Sequence, residues 1–152
     1  MKKILVISFI IICLISILAA PVSAANPRLV ASGVGKVAWD NGTGTFKINV
    51  NFDGQGNAYG TFSLRAKNTL TGTQTTINAT IIDACNRSAS GEMFLEGFEE
   101  NNPDSQVQVT VMTEMDNATF IVVELPMQYI VYQMSVIQSN VRLNQQFNLD
   151  PS

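Results

Sequence analysis

The stretch TFKINVNFDGQGNAYGTFSLRA, residues 45–66, decides the fold class of this chain. Its first half alternates apolar and polar residues, which is the period-two pattern of a half-buried strand. The apolar members of that half are Phe46, Ile48, Val50 and Phe52. Residues 53–57 are rich in Gly and Asx and favour a tight turn, and Phe62 and Leu64 then share one face of the returning segment. The stretch predicts a β-hairpin whose apolar face the rest of the chain must cover.

Further strand patterns follow along the chain, separated by turn signals at spacings of about 8–12 residues, which is typical of sandwiches and barrels. The candidate strands outside the hairpin are residues 29–39, 74–83, 89–98, 106–111, 119–125, 129–137 and 141–147. Turns are predicted between them, including one at residues 85–87. The sequence therefore predicts an all-β fold, an antiparallel meander of about eight or nine strands that closes, or nearly closes, into a β-barrel. Closure is preferred because it removes the exposed edges of the sheet, and a two-sheet β-sandwich is the alternative.

The N-terminus has the pattern of an export signal. Lys2 and Lys3 precede an almost wholly apolar run over residues 4–20, and Pro21 and residues 22–24 then supply small residues for a signal peptidase. We predict that residues 1–24 are a cleaved secretory signal peptide and that residues 25–152 form a single all-β domain, secreted or held in the cell envelope. An uncleaved membrane anchor is the alternative, because about 17 apolar residues are the lower limit for a span.

The charge balance argues against polyanionic partners. The sequence has nine Lys and Arg against twelve Asp and Glu, and loss of residues 1–24 removes two lysines, so the net charge falls from −3 to −5. Nucleic acids and anionic membrane surfaces select clustered basic residues. We therefore expect neither as a partner, and expect instead a glycan, a small apolar ligand or a protein partner at the cell surface.

The residue types of common catalytic centres are scarce. The sequence contains no histidine, which excludes Ser-His-Asp and Cys-His sites and imidazole ligation of metals. Without Cys13, Cys85 is the remaining cysteine, so no intrachain disulfide forms, and a buried, inert thiol is preferred to an intermolecular bridge. No cofactor-binding motif occurs, and neither a cofactor nor a metal is expected.

Carboxylates are the remaining candidates for catalysis. Glu96, Glu99, Glu100 and Asp104 cluster along one segment and could form an acid/base pair or a cation site. A solvated acidic loop is the preferred interpretation. Residues 53–57 lack the spaced acids of a calcium loop and are interpreted as a turn. The chain is therefore more easily explained as a non-enzymatic protein, and no catalytic residue is assigned.

Aromatic residues permit a binding hypothesis. Trp39 lies next to a predicted turn, Tyr59 lies on a polar strand face, and Tyr129 and Tyr132 belong to a late strand. An aromatic side chain at the mouth of a barrel could stack on a sugar or line an apolar pocket. Core or rim packing is the simpler explanation of the same residues.

Four asparagines fit the N-x-S/T rule for N-glycosylation. They are Asn41, Asn78, Asn86 and Asn117. Three fall in predicted turns, and Asn78 falls on the outward face of a strand. These positions are candidate modification sites.

The order of several short motifs resembles small secreted prokaryotic β-domains of the post-COAP type. The motifs are residues 33–35 (GVG), 46–50 (FKINV), 56–62 (GNAYGTF), 89–91 (ASG) and 109–111 (VTV). The resemblance covers residues 30–125 and departs from the expected pattern after Pro126. It implies an exported β-domain, often an appendage of larger surface proteins, and it assigns no catalytic residue.

The combined expectation is a secreted or cell-surface, non-enzymatic β-domain that acts as a binding or structural module. Two alternatives stay open. One is a small barrel enzyme that uses carboxylates, and the other is a subunit of a surface assembly.

Overall fold

The computed structural model describes residues 28–53, 57–87, 91–114 and 117–143, without the side chains of residues 28–30, 86–87 and 143. These residues form an all-β protein, and its eight long strands make a closed antiparallel barrel in a meander. The strands are β1 (Arg28–Trp39), β2 (Gly42–Phe52), β3 (Ala58–Asn68), β4 (Gln74–Arg87), β5 (Glu92–Glu99), β6 (Asn102–Glu114), β7 (Asn117–Leu125), β8 (Ile130–Ser139) and the short β9 (Arg142–Leu143). The predicted fold class is confirmed.

The barrel closes through β1. This strand pairs with β2 along its whole length, from Arg28 opposite Phe52 to Trp39 opposite Gly42. Its other edge pairs with β8 over residues 35–38 and with β9 at Ala31 and Ser32. Because β1 is hydrogen-bonded on both sides, the meander has no free edge between its first and eighth strands.

The hairpin of residues 45–66 forms as predicted. β2 and β3 pair without a break from Gly42 opposite Asn68 to Phe52 opposite Ala58. At its tip the Asp53 carboxylate accepts hydrogen bonds from the backbone N–H and the side-chain amide of Asn57, each at 2.9 Å. Both carboxylate oxygens therefore help to close the turn; residues 54–56 lie outside the described part of the chain.

The interior is filled by apolar side chains from all eight long strands. The largest that are fully buried are Phe46, Phe62, Ile48, Leu64, Ile77, Ile81, Leu95, Ile121 and Met134. They belong to one continuous cluster of buried residues. Small residues are needed where neighbouring backbones approach: a Cβ on Gly97 would lie 2.0 Å from the carbonyl oxygen of Thr80. Burial of this cluster is the main stabilising contribution to the fold.

One detail differs from the sequence-based expectation. Residues 85–87 were predicted as a turn, but β4 continues through Arg87 because Cys85, Asn86 and Arg87 pair with Phe94, Met93 and Glu92 of β5. The predicted closing strand over residues 141–147 is present as β9 up to Leu143, and its remainder lies outside the described residues, as do residues 1–27 with the predicted signal peptide.

The strand directions define two ends of the barrel. We call the end with the connections at residues 40–41, 69–73, 100–101 and 126–129 the upper end, and the opposite end the lower end. A single 3-10 turn, Pro126–Gln128, lies at the upper end between β7 and β8. It is held down by Gln128, whose side-chain amide donates to Ser105 Oγ at 3.2 Å and to Glu99 Oε2 at 3.4 Å.

Replacing Phe46 with alanine should lower the free energy of unfolding by about 3–5 kcal/mol, because the ring is 2% exposed and its removal leaves a cavity in the barrel. Tyr59→Ala is the control, since this side chain is 45% exposed on the outer face of β3, and its loss should change stability by no more than about 0.5 kcal/mol. Urea denaturation followed by circular dichroism measures both. Equal effects of the two substitutions would contradict the filled interior.

Candidate functional site

The upper mouth of the barrel contains a depression of about 260 Å³, bordered by two aromatic rings and several uncharged polar groups. Its lining residues are Trp39, Ala66, Asn68, Thr71, Thr73, Thr75 and Tyr132. They come from the upper ends of β1, β3, β4 and β8 and from the loop between β3 and β4. Closure of the barrel therefore brings Trp39 and Tyr132 to one site from strands at opposite ends of the meander.

Trp39 is held in place by a glycine. A Cβ added to Gly42 would lie 2.1 Å from Cζ2 and 2.4 Å from Cε2 of the indole, so the ring rests directly on the backbone of β2. Gly42 is the cross-strand partner of Trp39. Trp39 and Tyr132 are both partly buried and pack against the core from above. Both residues thus join the lining of the opening to the core below it.

The polar groups of the mouth are ordered by the turn between β3 and β4. Asn68 Oδ1 accepts hydrogen bonds from the backbone N–H groups of Leu70 at 2.9 Å and Thr71 at 3.0 Å. These bonds engage the amide oxygen of Asn68 and not its two Nδ2 donors. The hydroxyl groups of Thr71 and Thr73 are hydrogen-bonded to each other at 2.9 Å. The loop therefore presents preorganised donors at the opening.

The other aromatic candidates lie elsewhere. Tyr59 is on the outer face of β3 near the lower end, where it pairs with Asn51. Tyr129 stands on the upper rim with 94% of its surface exposed, in a left-handed backbone conformation (φ 55°) stabilised by its N–H bonding to Pro126 O at 3.2 Å. Of the four aromatic residues that the sequence offered, Trp39 and Tyr132 share a site.

The candidate carboxylates are distributed over the outer wall and the upper rim. Glu96 faces outward from β5 and accepts a hydrogen bond from the Gln106 amide, while Glu99 is bonded by Gln128 at the rim. Glu100 and Asp104 are exposed. The structure therefore does not gather the four acids around one depression of the upper mouth. Among the described residues, no three His, Cys, Asp or Glu side chains are grouped closely enough to hold a metal ion.

The four candidate glycosylation sites and Cys85 lie on the strands or in the turns between them. Asn41 is exposed in the turn between β1 and β2, Asn117 is exposed at the start of β7, and Asn78 is half-buried on the outer face of β4. Asn86 lies within β4 and not in a turn. Cys85 is a half-buried free thiol opposite Phe94. Whether the asparagines are glycosylated stays a prediction.

Sequence reasoning missed the polar half of the mouth. Asn68 and Thr71 belonged to a predicted turn over residues 68–72, and Thr75 to the start of a predicted strand. Neither pattern indicated that these residues and Thr73 border the same space as Trp39. The useful signal was the capping Asn68, because an Asx side chain that bonds the following backbone fixes the conformation of its loop.

Comparison with known proteins gives no relative for this chain. No family model matches it, and neither curated proteins nor solved structures provide a match. The resemblance to post-COAP domains therefore stays an expectation. None of the described segments is a helix with the length and apolarity needed to cross a bilayer.

Trp39 is the single tryptophan of the sequence, so its fluorescence reports on the mouth alone. Gly42→Ala should shift its emission to longer wavelength, because the added methyl group displaces the indole from the backbone of β2 towards solvent. Thr43→Ala, next along β2 and exposed on the outer face, is the control and should leave the spectrum unchanged. An unchanged emission in Gly42→Ala would contradict the position of the ring.

Proposed function

We propose that this protein is a non-enzymatic binding module, secreted or held at the cell surface, that takes one ring of a neutral glycan in the upper mouth of its barrel. The observation that carries the proposal is the placement of Trp39 and Tyr132 at one depression together with uncharged hydroxyl and amide groups.

This combination suits the chemistry of a sugar. A pyranose has apolar C–H faces that pack on aromatic rings and hydroxyl groups around its edge that exchange hydrogen bonds. Trp39 and Tyr132 supply the rings, and aromatic side chains with a polar group are suited to surfaces that are partly apolar and partly wet. Thr73, Thr75 and Asn68 supply donors and acceptors at the edge.

The charge and size of the upper mouth restrict the class of ligand that it can bind. None of the described residues that line the depression is charged, which favours a neutral sugar over an acidic one. Its volume of about 260 Å³ is below the range of about 300–1,000 Å³ that accommodates drug-sized ligands, so a single ring fits better than a larger group. An open site of this size is expected to bind in the millimolar range, about −4 kcal/mol.

The filled interior of the barrel also favours a glycan over a small apolar ligand. A barrel that carries a small apolar ligand needs an internal cavity, whereas here the space below the mouth is occupied by the buried cluster around Phe46, Phe62 and Leu64. The signal-peptide pattern and the resemblance to exported β-domains support the location.

Titration with neutral monosaccharides and short oligosaccharides should change the fluorescence of Trp39, because the ligand covers the indole. Trp39→Phe should retain part of the affinity through its ring, whereas Trp39→Ala should bind at least about tenfold more weakly, a loss of about 1.4 kcal/mol. Calorimetry or a glycan array provides the readout for the variants that lack the tryptophan.

The polar edge is tested by Thr73→Val and Thr75→Val, which keep the side-chain shape and remove the hydroxyl groups. Each should weaken binding without unfolding the protein. Tyr59→Ala is the matched control, because it removes an aromatic ring that lies far from the mouth. A protein that binds no neutral sugar, or whose Trp39→Ala variant binds as well as the unaltered chain, would contradict the proposal.

Export has its own test. Fractionation of the producing cells should place the protein outside the cytoplasmic membrane, and its N-terminal sequence should begin at Ala25, because residues 22–24 carry the small residues of the cleavage site. An intact N-terminus starting at Met1 would support the membrane-anchor alternative.

A further inference from the structure

The charges of the barrel are separated between opposite walls. The strands β1, β2 and β3 contain five basic residues and no acidic residue; the basic residues are Arg28, Lys36, Lys47, Arg65 and Lys67. The strands β5, β6 and β7 contain acidic residues and no basic residue; the acids are Glu92, Glu96, Glu99, Asp104, Glu114 and Glu124. In an eight-stranded barrel β2 and β6 lie opposite each other, so the two sets of strands lie on opposite sides of the barrel.

The basic wall, which we define as the outer face of β1–β3, carries a regular row. Lys36 pairs with Thr45, and Thr45 pairs with Arg65, so the two cations flank one threonine. Neighbouring strands are about 4.8 Å apart, which places the two cations about 10 Å from each other. All three side chains are exposed. Lys36, Thr45 and Arg65 also border two outer depressions of about 430 Å³ on this wall.

The acidic wall, which we define as the outer face of β5–β7, carries a row of the same form. Glu96 pairs with Gln108, and Gln108 pairs with Glu124, so two carboxylates flank one glutamine. The row extends to Asp83 of β4, which lies opposite Glu96. Like charges opposite each other on adjacent strands are destabilising. The spacing between Glu96 and Glu124 equals that between Lys36 and Arg65, because each pair spans two strands.

We infer that the basic wall of one copy of this chain docks on the acidic wall of a second copy. Lys36 and Arg65 of one protomer then pair with Glu96 and Glu124 of the next, and the uncharged Thr45 and Gln108 meet between them. The contact offsets the repulsion between the neighbouring carboxylates of Asp83 and Glu96. None of Lys36, Thr45 and Arg65 lines the upper mouth, so the inference does not rest on glycan binding.

Because two different walls meet, each protomer keeps one wall free after docking. Such head-to-tail contacts are heterologous, and they produce rows or rings of protomers rather than closed pairs. Exposed ion pairs contribute only about 0.2–1 kcal/mol each, so the association is weak and depends strongly on salt.

Light scattering and sedimentation of the purified protein should show species larger than a monomer at about 20 mM salt, and these should dissociate at about 0.5 M salt as charges become screened. Arg65→Glu should weaken association at least about tenfold, because attraction to the acidic wall becomes repulsion. Arg142→Glu makes the same change in net charge at an exposed position on β9 and is the control.

Reversal of the charges on the two walls in separate variants tests the docking more directly. Lys36→Glu/Arg65→Glu carries an acidic row on both walls, and Glu96→Lys/Glu124→Lys carries a basic row on both walls. Each variant alone should be monomeric, and an equal mixture of the two should associate at low salt. Circular dichroism verifies that both variants fold, and the single variants Arg65→Glu and Glu124→Lys repeat the test with smaller changes if a double variant does not.

Three results would overturn the inference. They are a wild-type protein that stays monomeric at low salt and high concentration, an Arg65→Glu variant that associates like Arg142→Glu, and a mixture of folded reversed variants that does not associate. Loss of neutral glycan binding in Trp39→Ala with unchanged association would show that the two surfaces act separately.

Discussion

The double pairing of β1 is the constraint on which the rest of the structure depends. One edge of this strand bonds to its neighbour in sequence, β2, and the other edge bonds to β8, near the far end of the chain. A meander without the second contact would present two open edges and half-exposed apolar faces. With it, the strands enclose the cluster around Phe46 and Leu64, Trp39 and Tyr132 reach the same opening, and β2 comes to lie opposite β6.

The local parts of this architecture were predictable from the sequence. Alternation from Phe46 to Phe52 identifies β2 because the side chains of a strand point to opposite faces in turn, and the residues that follow identify its hairpin. Continuation of β4 through Arg87 was not predictable, because a short polar segment between apolar runs has the composition of a turn, and the pairing with β5 outweighs that tendency.

The candidate site could not be predicted from residue types, because it is formed by strands that lie far apart in the sequence. Trp39 and Tyr132 were recognisable as aromatic candidates, but their meeting requires the register between β1 and β8, in which Val37 lies opposite Val136 and a bulge follows Lys36. The separation of charge between the basic and acidic walls could not be predicted from residue types either. The sequence yields a net charge, whereas the opposition of Lys36 and Glu96 follows from strand order in a closed barrel. Filling of the interior by apolar residues confines polar chemistry to the upper mouth and the outer faces.

The directions of the first and last strands decide at which end of the barrel the chain enters and leaves. β1 starts at the lower end, and β8 and β9 run back to it, so the polypeptide enters and leaves the barrel on the side away from Trp39. Arg28 and Leu143, the first and last described residues, therefore lie on the side away from the upper mouth. If the upper mouth binds a glycan and the walls dock as proposed, protomers joined by simple translation would present their openings in a common direction, where several weak contacts to one polymer reinforce each other.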